Sequence, residues 1–256
     1  MSYPEVNVVL HKLLSEVKTI LGDRFVGMYL YGSLASGDFD PQRSDIDFVV
    51  VTDGELPEGT VQALEEMHAR IWASGLPWTT KLEGSYVPRK SLSRYDSADA
   101  PHPAVNEGRF YIVCHDSDWV ILRHVLREQE VIVEGPSLRT SIDPVQPNDL
   151  RQAVLAILRE WWKPMLRNPN RLYDRGYQPY AILTMCRMLY TLEHGTIVSK
   201  PVAARWALKT LGERWAGLIE SALAWPSYGE AGNINETMDF IRYTLEYRSL
   251  SISNVI

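Results

Sequence analysis

The stretch that decides the fold is Tyr31-Gly32-Ser33-Leu34-Ala35-Ser36-Gly37, followed after a short spacer by Ser44-Asp45-Ile46-Asp47. It joins two strand-like runs. The first, Phe25 to Tyr31, is aromatic and β-branched and ends at a glycine-serine pair, which predicts a strand entering a tight turn. The second, Ile46 to Thr52, is apolar apart from Asp47, as in a central strand with both faces covered. We therefore expect a mixed α/β fold in this part of the chain.

The same stretch carries a chemical signal. A Gly-Ser turn lets the backbone approach an anion and offers N–H and hydroxyl donors to phosphate oxygens. In an extended segment Asp45 and Asp47 point to the same face, and their like charges repel unless a cation lies between them. Mg²⁺ takes one or two carboxylates together with substrate phosphates. Each half alone could be an ordinary turn or a solvated strand end, but together they favour a Mg-nucleotide site.

A third carboxylate is expected at such a site, as a metal ligand or as the base for an attacking hydroxyl. Glu83 is the candidate, in Lys81-Leu82-Glu83-Gly84-Ser85-Tyr86 within a predicted strand from Thr79 to Val87. An unpaired glutamate is costly in such an apolar setting. From the residues alone, an exposed glutamate on an edge strand is an equal alternative.

Periodicity predicts the other N-terminal elements. Helical spacing covers Val6 to Leu21, Glu58 to Trp72 and Asp118 to Arg127, and a short strand covers Val131 to Val133. Residues 88–117 contain three prolines and several small polar residues, so we expect a loop there, with one short strand at Phe110 to Val113 at most.

The C-terminal part is predicted to be a helical bundle. The proline-containing stretch Pro136 to Asn148 is the candidate linker, giving an N-terminal domain at 1–145 and a helical domain at 146–256. The predicted helices are Leu150 to Leu166, Pro179 to Glu193, Pro201 to Leu211, Glu213 to Leu223 and Ile234 to Tyr247. Five tryptophans lie in this part, and we expect them to be core side chains rather than stacking platforms: Trp161, Trp162, Trp206, Trp215 and Trp225.

The overall composition limits the kinds of partner that the protein can bind. The chain has 256 residues, 45% hydrophobic and 23% charged, which is ordinary globular composition. The net charge of -6 argues against a nucleic-acid partner. No signal peptide and no apolar run of roughly 20 residues is present, so we expect a cytoplasmic protein without a membrane partner. We also expect a monomer.

Taken together, the Gly-Ser turn, the Asp-Ile-Asp triplet and the later strand carboxylate resemble the nucleotidyltransferase superfamily related to DNA polymerase β. More narrowly, the chain is similar to the aminoglycoside 3''/9-adenylyltransferases that modify streptomycin and spectinomycin. That similarity continues through Gly135-Pro136, through Leu183 to Tyr190 (LTMCRMLY) and through Val198 to Ala207 (VSKPVAARWA).

The resemblance implies an activity, AMP transfer from ATP to a drug hydroxyl with Mg²⁺, and a set of site residues. Asp45, Asp47 and Glu83 would surround Mg²⁺, with Glu83 as the catalytic base. Gly32, Ser33 and Ser44 would lie at the phosphates, and Asp118 near the nucleotide. Arg187 and Lys200 would reach ATP from the helical domain; the alternative for Arg187 is a helix-face arginine that covers apolar surface.

The chain departs from the family where the acceptor is chosen. Streptomycin-modifying members carry a tryptophan after the catalytic glutamate and an aspartate ten residues before the arginine. Here no tryptophan lies between Trp78 and Trp119, and Tyr177 replaces the aspartate. The 9-hydroxyl of spectinomycin is therefore favoured over the 3''-hydroxyl of streptomycin, with Asp174 and Tyr177 as candidate acceptor contacts.

Two alternatives stay open at this point. The acceptor could be a protein, a tRNA end or another small molecule, or the chain could be a nucleotide-binding module without turnover. Retention of all three carboxylates argues against the silent module, because a degenerate site has no need of them.

Overall fold

The computed structural model describes residues 3–94, 96, 98–114, 116–174, 176–225 and 233–247. The chain divides into two compact units, Met1–Pro144 and Val145–Ile256. The first holds a six-stranded mixed sheet with helices, and the second is helical throughout its described residues. The expected fold class, α+β with a mixed sheet flanked by helices followed by a helical bundle, is confirmed. None of the described helices is long and apolar enough to cross a bilayer.

The sheet of the N-terminal unit has the strand order β5-β4-β3-β2-β1-β6. Only the central pair β2 and β3 is parallel, and the other neighbours are antiparallel. A parallel pair needs a crossover, which helix α3 (Glu58–Ala73) supplies. The strands are β1 Phe25–Leu30, β2 Ile46–Thr52, β3 Leu82–Pro88, β4 His102–Asn106, β5 Arg109–Val113 and β6 Val131–Glu134.

Helices cover both faces of this sheet. On one face Phe48 and Val50 pack in a core with α1 (Pro4–Leu21) and α3. On the other face Val49 packs with Trp119 of α5 (Asp118–Glu128). Strand β2 is therefore buried on both sides, which explains its nearly continuous apolar sequence. Since side chains alternate along a strand, Asp47 shares the α5 face with Val49.

The expected loop at residues 88–117 is wrong over much of its length. A short helix, α4 (Arg89–Ser93), is followed by the hairpin β4–β5. Proline cannot donate a hydrogen bond to a sheet ladder, so Pro103 argued against a strand. In the structure the β3–β4 pairing ends at Ala104, and Pro103 lies one residue beyond that ladder. Residues 95, 97 and 115 lie outside the described residues.

The turn of this hairpin contains two residues with positive φ, Glu107 at 46° and Gly108 at 74°. Two such residues in a two-residue loop make a type I′ turn, whose twist matches that of the paired strands. The turn fixes the register, so Asn106 and Arg109 face each other.

The glycine-serine turn is itself a short helix, α2 (Gly32–Ser36), rather than an open turn. The third strand begins later than expected, because Thr79–Lys81 form a 3₁₀ turn. The C-terminal helices are α6 Pro147–Ile157, α7 Lys163–Met165, α8 Tyr177–His194, α9 Lys200–Thr210, α10 Glu213–Ala224 and α11 Ile234–Glu246.

Between α6 and α7 the chain forms a π-helical turn, Leu158–Trp162. The two adjacent tryptophans of this turn lie in different environments: Trp162 is 1% exposed and Trp161 is 45% exposed. The expectation of a core side chain is therefore confirmed for Trp162 and wrong for Trp161. Trp215 is also buried, and Trp206 and Trp225 are partly buried.

Candidate active site

A row of polar side chains crosses the α5 face of the sheet. Asp47 pairs with Glu83 across β2–β3, Glu83 with Asn106 across β3–β4, and Asn106 with Arg109 across β4–β5. Tyr31 extends the row, since its N–H donates to the Asp47 carbonyl at 3.2 Å. Directly paired residues project to the same face with Cβ atoms about 5 Å apart. We call these five residues the polar row.

The polar row brings together the two carboxylates expected from sequence, Asp47 and Glu83. Glu83 is partly buried on a strand that has a neighbour on each side. The alternative of an exposed edge-strand glutamate is therefore wrong. Four of the five residues are partly buried and Arg109 is exposed, so the row is open to a ligand at its β5 end.

Gly32 lets the backbone after β1 lie against the Asp47 carboxylate. Its φ is +63°, and a Cβ placed there would lie 2.0 Å from Asp47 Oδ2. Any other residue would displace the carboxylate as well as strain the backbone. The glycine of the Gly-Ser pair is thus required by its contact with Asp47.

Asp45 lies immediately before β2 and has a basic neighbour. Its Oδ1 is 3.2 Å from Lys81 Nζ. The same oxygen is buried and, among the described residues, accepts no hydrogen bond, so the ion pair with Lys81 does not have hydrogen-bond geometry. In this structure Lys81 therefore places a positive charge beside Asp45.

These residues fit a Mg²⁺ ion bound jointly with phosphates. Their donor set is carboxylate oxygen, which Mg²⁺ prefers, and Asp45 offers a buried oxygen with unused acceptor capacity. Within the part of the chain that the structure describes, no group of three or more His, Cys, Asp or Glu side chains is arranged to hold a metal ion. Mg²⁺ usually takes one or two carboxylates from the protein and its remaining ligands from water and substrate phosphates.

The pKa of the Tyr31 phenol depends on the negative charge of the site. Burial raises its pKa well above the ordinary value, and the charges of Asp47, Glu83 and Asp118 raise it further. Burial, followed by the charges of Glu83 and Asp118, also raises the pKa of Tyr111 on β5. Both phenols therefore stay protonated and can donate hydrogen bonds.

Asp118 is the first residue of α5, and its negative charge raises the pKa of both phenols. Its own pKa is raised, first by loss of solvation and then by the charge of Asp116. Asp118 therefore adds to the negative charge around the two phenols.

The two candidate serines lie in the connection between β1 and β2. Ser33 is partly buried in α2. The Ser44 hydroxyl oxygen accepts a hydrogen bond from the Asp40 N–H at 3.0 Å, so its proton is available for a further acceptor.

In the C-terminal unit, Arg187 and Lys200 belong to helices that pack together. Lys200 Nζ lies 4.5 Å from the centroid of the Tyr180 ring, and Trp206 contacts Tyr190 with ring centroids 5.4 Å apart. Helical spacing puts Arg187 on the same stripe of α8 as Tyr180 and Tyr190. Arg187 therefore lies on the side of α8 that faces α9, the helix that carries Lys200.

The two candidate acceptor residues differ in their surroundings. Asp174 is exposed, and its Oδ1 accepts a hydrogen bond from the Gly176 N–H at 2.8 Å. Tyr177 is partly buried, with ring centroids 5.3 Å from Tyr180 and 6.3 Å from Trp162. Tyr177 is thus part of an aromatic cluster rather than an isolated polar contact.

Sequence reasoning missed Tyr31, Asn106 and Arg109. The signal for the last two was the Glu107-Gly108 pair, since an X-Gly pair in a hairpin turn sets its flanking residues opposite each other. Tyr31 directly precedes the Gly-Ser pair, but nothing in its own residue type distinguishes it from a core aromatic residue.

Two family models match the chain. The nucleotidyltransferase domain model matches residues 10–96, and the C-terminal domain model of aminoglycoside adenylyltransferases matches residues 140–247. A spectinomycin 9-adenylyltransferase from Campylobacter jejuni is 25% identical over 232 residues, 87% of this chain and 86% of the relative. An aminoglycoside (3'') (9) adenylyltransferase from Escherichia coli is 27% identical over 256 residues and 93% of each chain.

A solved structure shares the fold. The crystal structure of spectinomycin adenyltransferase AAD(9) from Enterococcus faecialis with ATP and spectinomycin matches with a TM-score of 0.74 at 18% identity, covering 94% of this chain and 99% of that one. The fold, the order of the two matching domains and the full-length similarity to these enzymes agree. The chain therefore belongs to the aminoglycoside adenylyltransferase family of nucleotidyltransferases.

Proposed function

We propose that this enzyme transfers AMP from ATP to the 9-hydroxyl of spectinomycin in preference to the 3''-hydroxyl of streptomycin, with release of pyrophosphate. The observation that carries the proposal is the in-register pairing of Asp47 and Glu83, with Gly32 packed against Asp47. This pairing sets two carboxylates side by side. We propose that the Ser33 hydroxyl of α2 faces the same site. Such a set suits a metal-bound triphosphate and an adjacent base.

Asp45 and Asp47 are the proposed ligands of Mg²⁺, with Glu83 beside them as a third. When bound, Mg²⁺ would neutralise phosphate oxygens as charge develops on them. Glu83 accepts the proton of the acceptor hydroxyl. The hydroxyl oxygen then bonds to the α-phosphorus, the bond from that phosphorus to the bridging oxygen breaks, and pyrophosphate leaves.

Several further residues have proposed roles in binding the nucleotide. Ser33 and Ser44 donate hydroxyl hydrogen bonds to phosphate oxygens, Gly32 allows their approach, and Asp118 lies near the nucleotide. Arg187 and Lys200 of the helical domain, residues 146–256, are proposed to bind the triphosphate, whose negative oxygens require cations.

The position of Lys200 supports its proposed role. It is the first residue of α9, where a cation is unfavourable for the helix but where free N–H groups attract anions. A residue that opposes local stability in this way is expected at functional sites.

The choice of acceptor rests on the relatives and on Tyr177. Relatives from Campylobacter jejuni and Staphylococcus aureus are spectinomycin 9-adenylyltransferases, 25% and 28% identical to this chain. Tyr177, part of an aromatic cluster, provides no carboxylate for the guanidinium groups of streptomycin. The exposed Asp174 and the net charge of -6 suit a cationic aminocyclitol.

The first test separates the metal ligand from the base. Asp47→Asn should lower pyrophosphate release by more than about 100-fold, because an interaction with developing charge is lost. Glu83→Gln should still bind ATP but transfer AMP about 100- to 10,000-fold more slowly, the usual cost of losing a general base. Pyrophosphate release with spectinomycin and calorimetric ATP binding measure both quantities.

The matched control is Asp53→Asn, which alters an exposed carboxylate that pairs with Arg89 just beyond β2. It should retain full activity. Normal turnover in Asp47→Asn would remove Asp47 from the metal site, and an unchanged rate in Glu83→Gln would remove Glu83 as the base.

The second test identifies the acceptor. Pyrophosphate release is measured with spectinomycin, streptomycin and no acceptor, each with ATP and with GTP, and both drugs are tested against a sensitive host that expresses the enzyme. We expect turnover and protection with spectinomycin and ATP. Equal or faster turnover with streptomycin would contradict the preference, and no release with either drug would favour another acceptor.

A further inference from the structure

Tyr180 holds the ammonium group of Lys200 over its ring. The nitrogen lies 4.5 Å from the ring centroid, well within the range of a cation–π contact. Tyr180 is on the first turn of α8 and Lys200 is the first residue of α9, so the contact joins the beginnings of two helices. The contact therefore restricts the ammonium end of the lysine side chain.

The Tyr180 ring is itself held in place. It stacks on Trp162 with ring centroids 6.2 Å apart and an interplanar angle of 30°, and it contacts Tyr177 at 5.3 Å. Trp162, the last residue of the π-helical turn, is almost completely buried. Tyr180 is 42% exposed, so its ring is anchored on one side and open on the other.

We infer that Tyr180 is a positioning residue, which pre-organises Lys200 for the triphosphate through the face of its ring. This inference rests on the proposed role of Lys200 in ATP binding. A lysine side chain loses much rotamer freedom when it is fixed on an anion. A ring that already restricts the side chain removes part of that cost before ATP arrives. The phenol hydroxyl has no part in this effect, so phenylalanine should replace tyrosine.

The first measurement is a kinetic cycle on the full chain. Tyr180→Leu removes the ring face and should raise KM for ATP about two- to fivefold, the range for an exposed cation–π contact, while kcat stays within about twofold. Tyr180→Phe should keep the normal KM. Lys200→Met should raise KM by itself, and adding Tyr180→Leu to it should have no further effect, because Tyr180 acts through Lys200.

A matched control is available in the same unit. The Arg171 guanidinium carbon lies 4.6 Å from the Trp161 ring centroid, a similar contact at the surface with no proposed role. Trp161→Leu should leave KM for ATP unchanged. A rise equal to that of Tyr180→Leu would mean that loss of any such ring disturbs the unit, and it would overturn the inference.

The second measurement does not depend on activity. The ε-methylene protons of Lys200, assigned by their loss in Lys200→Met, should show an upfield ring-current shift by NMR. The shift should vanish in Tyr180→Leu and persist in Tyr180→Phe. An unchanged shift in Tyr180→Leu would show that the ring does not hold Lys200.

The outcomes separate the two proposals. If Lys200→Met leaves KM for ATP unchanged, the proposed role of Lys200 fails, and the inference about Tyr180 fails with it. If Lys200→Met raises KM but Tyr180→Leu does not, or if Tyr180→Leu raises it equally in the Lys200→Met background, only the positioning role fails.

Discussion

At the scale of single residues, Gly32 provides a sharp test of the site. An added methyl group would overlap Asp47 Oδ2, so Gly32→Ala should move the carboxylate. Misplacement of a reacting group by about 1 Å costs roughly 100-fold in rate. We therefore expect kcat for AMP transfer to fall at least about 100-fold, measured as pyrophosphate release.

Backbone strain alone would also follow from this substitution, and Gly37 separates the two effects. Gly37 has a φ of +77°, and a Cβ there would meet nothing within 4 Å. Gly37→Ala should lower the free energy of unfolding by about 1 kcal/mol, as expected for a left-handed alanine, yet keep its activity. Equal losses of activity in both variants would show that strain, and not the contact with Asp47, is responsible.

At the scale of elements, the turn of the β4–β5 hairpin carries an avoidable strain. Glu107 has a φ of 46°, which costs little for asparagine but more for glutamate. Glu107→Asn creates the Asn-Gly pair that type I′ turns prefer. It should stabilise the enzyme by about 0.5–1 kcal/mol.

Thermal unfolding measures this effect, with an expected rise in Tm of about 2–4 °C per kcal/mol. Glu107→Val, which is β-branched and unsuited to positive φ, should lower Tm. A rise with valine, or none with asparagine, would contradict the assigned turn.

The elements differed in how well the sequence predicted them. Helices α1, α3 and α5 were predicted to within a few residues because their apolar positions repeat every three or four residues. Strand β4 was missed because Pro103 argued against a strand, and the sequence does not show that the β3–β4 pairing ends at Ala104, before the proline. The π-helical turn was missed because apolar spacing predicts one continuous helix from Leu150 to Leu166 and carries no signal for a local change in hydrogen bonding.

The candidate site shows the same division. Asp45, Asp47 and Glu83 were found because their chemistry is unusual for buried strands. Their arrangement could not be predicted, since the register that pairs Asp47 with Glu83 is set by the whole parallel ladder. Lys81 was likewise seen as part of a strand, and its ion pair with Asp45 arises from the 3₁₀ turn that precedes β3.

At the scale of the whole molecule, His68 makes stability depend on pH. His68 is buried in the N-terminal unit, with Nε2 2.7 Å from the Tyr86 hydroxyl oxygen. Burial lowers the pKa of His68 from 6.5 to about 4. Between these values the unfolded chain binds more protons than the folded one, so this contribution is complete above pH 6.5 and is lost as pH falls towards 4.

We expect the free energy of unfolding to fall by roughly 3 kcal/mol across this window, at about 1.4 kcal/mol per pKa unit. Urea unfolding at a series of pH values measures it. His68→Gln should flatten the dependence without abolishing it, because burial also lowers the pKa of His124. The same slope in His68→Gln and the unaltered enzyme would exclude His68 as its source.

The strands that carry the polar row differ in how well they tolerate insertions. Its Asp47 and Glu83 lie on the central parallel pair, where an insertion would shift the register of the ladder. Asn106 and Arg109 flank an exposed two-residue turn, and among the described strands β5 pairs only with β4. Descendants of such an enzyme can lengthen or replace this hairpin without disturbing the register that holds the two carboxylates side by side.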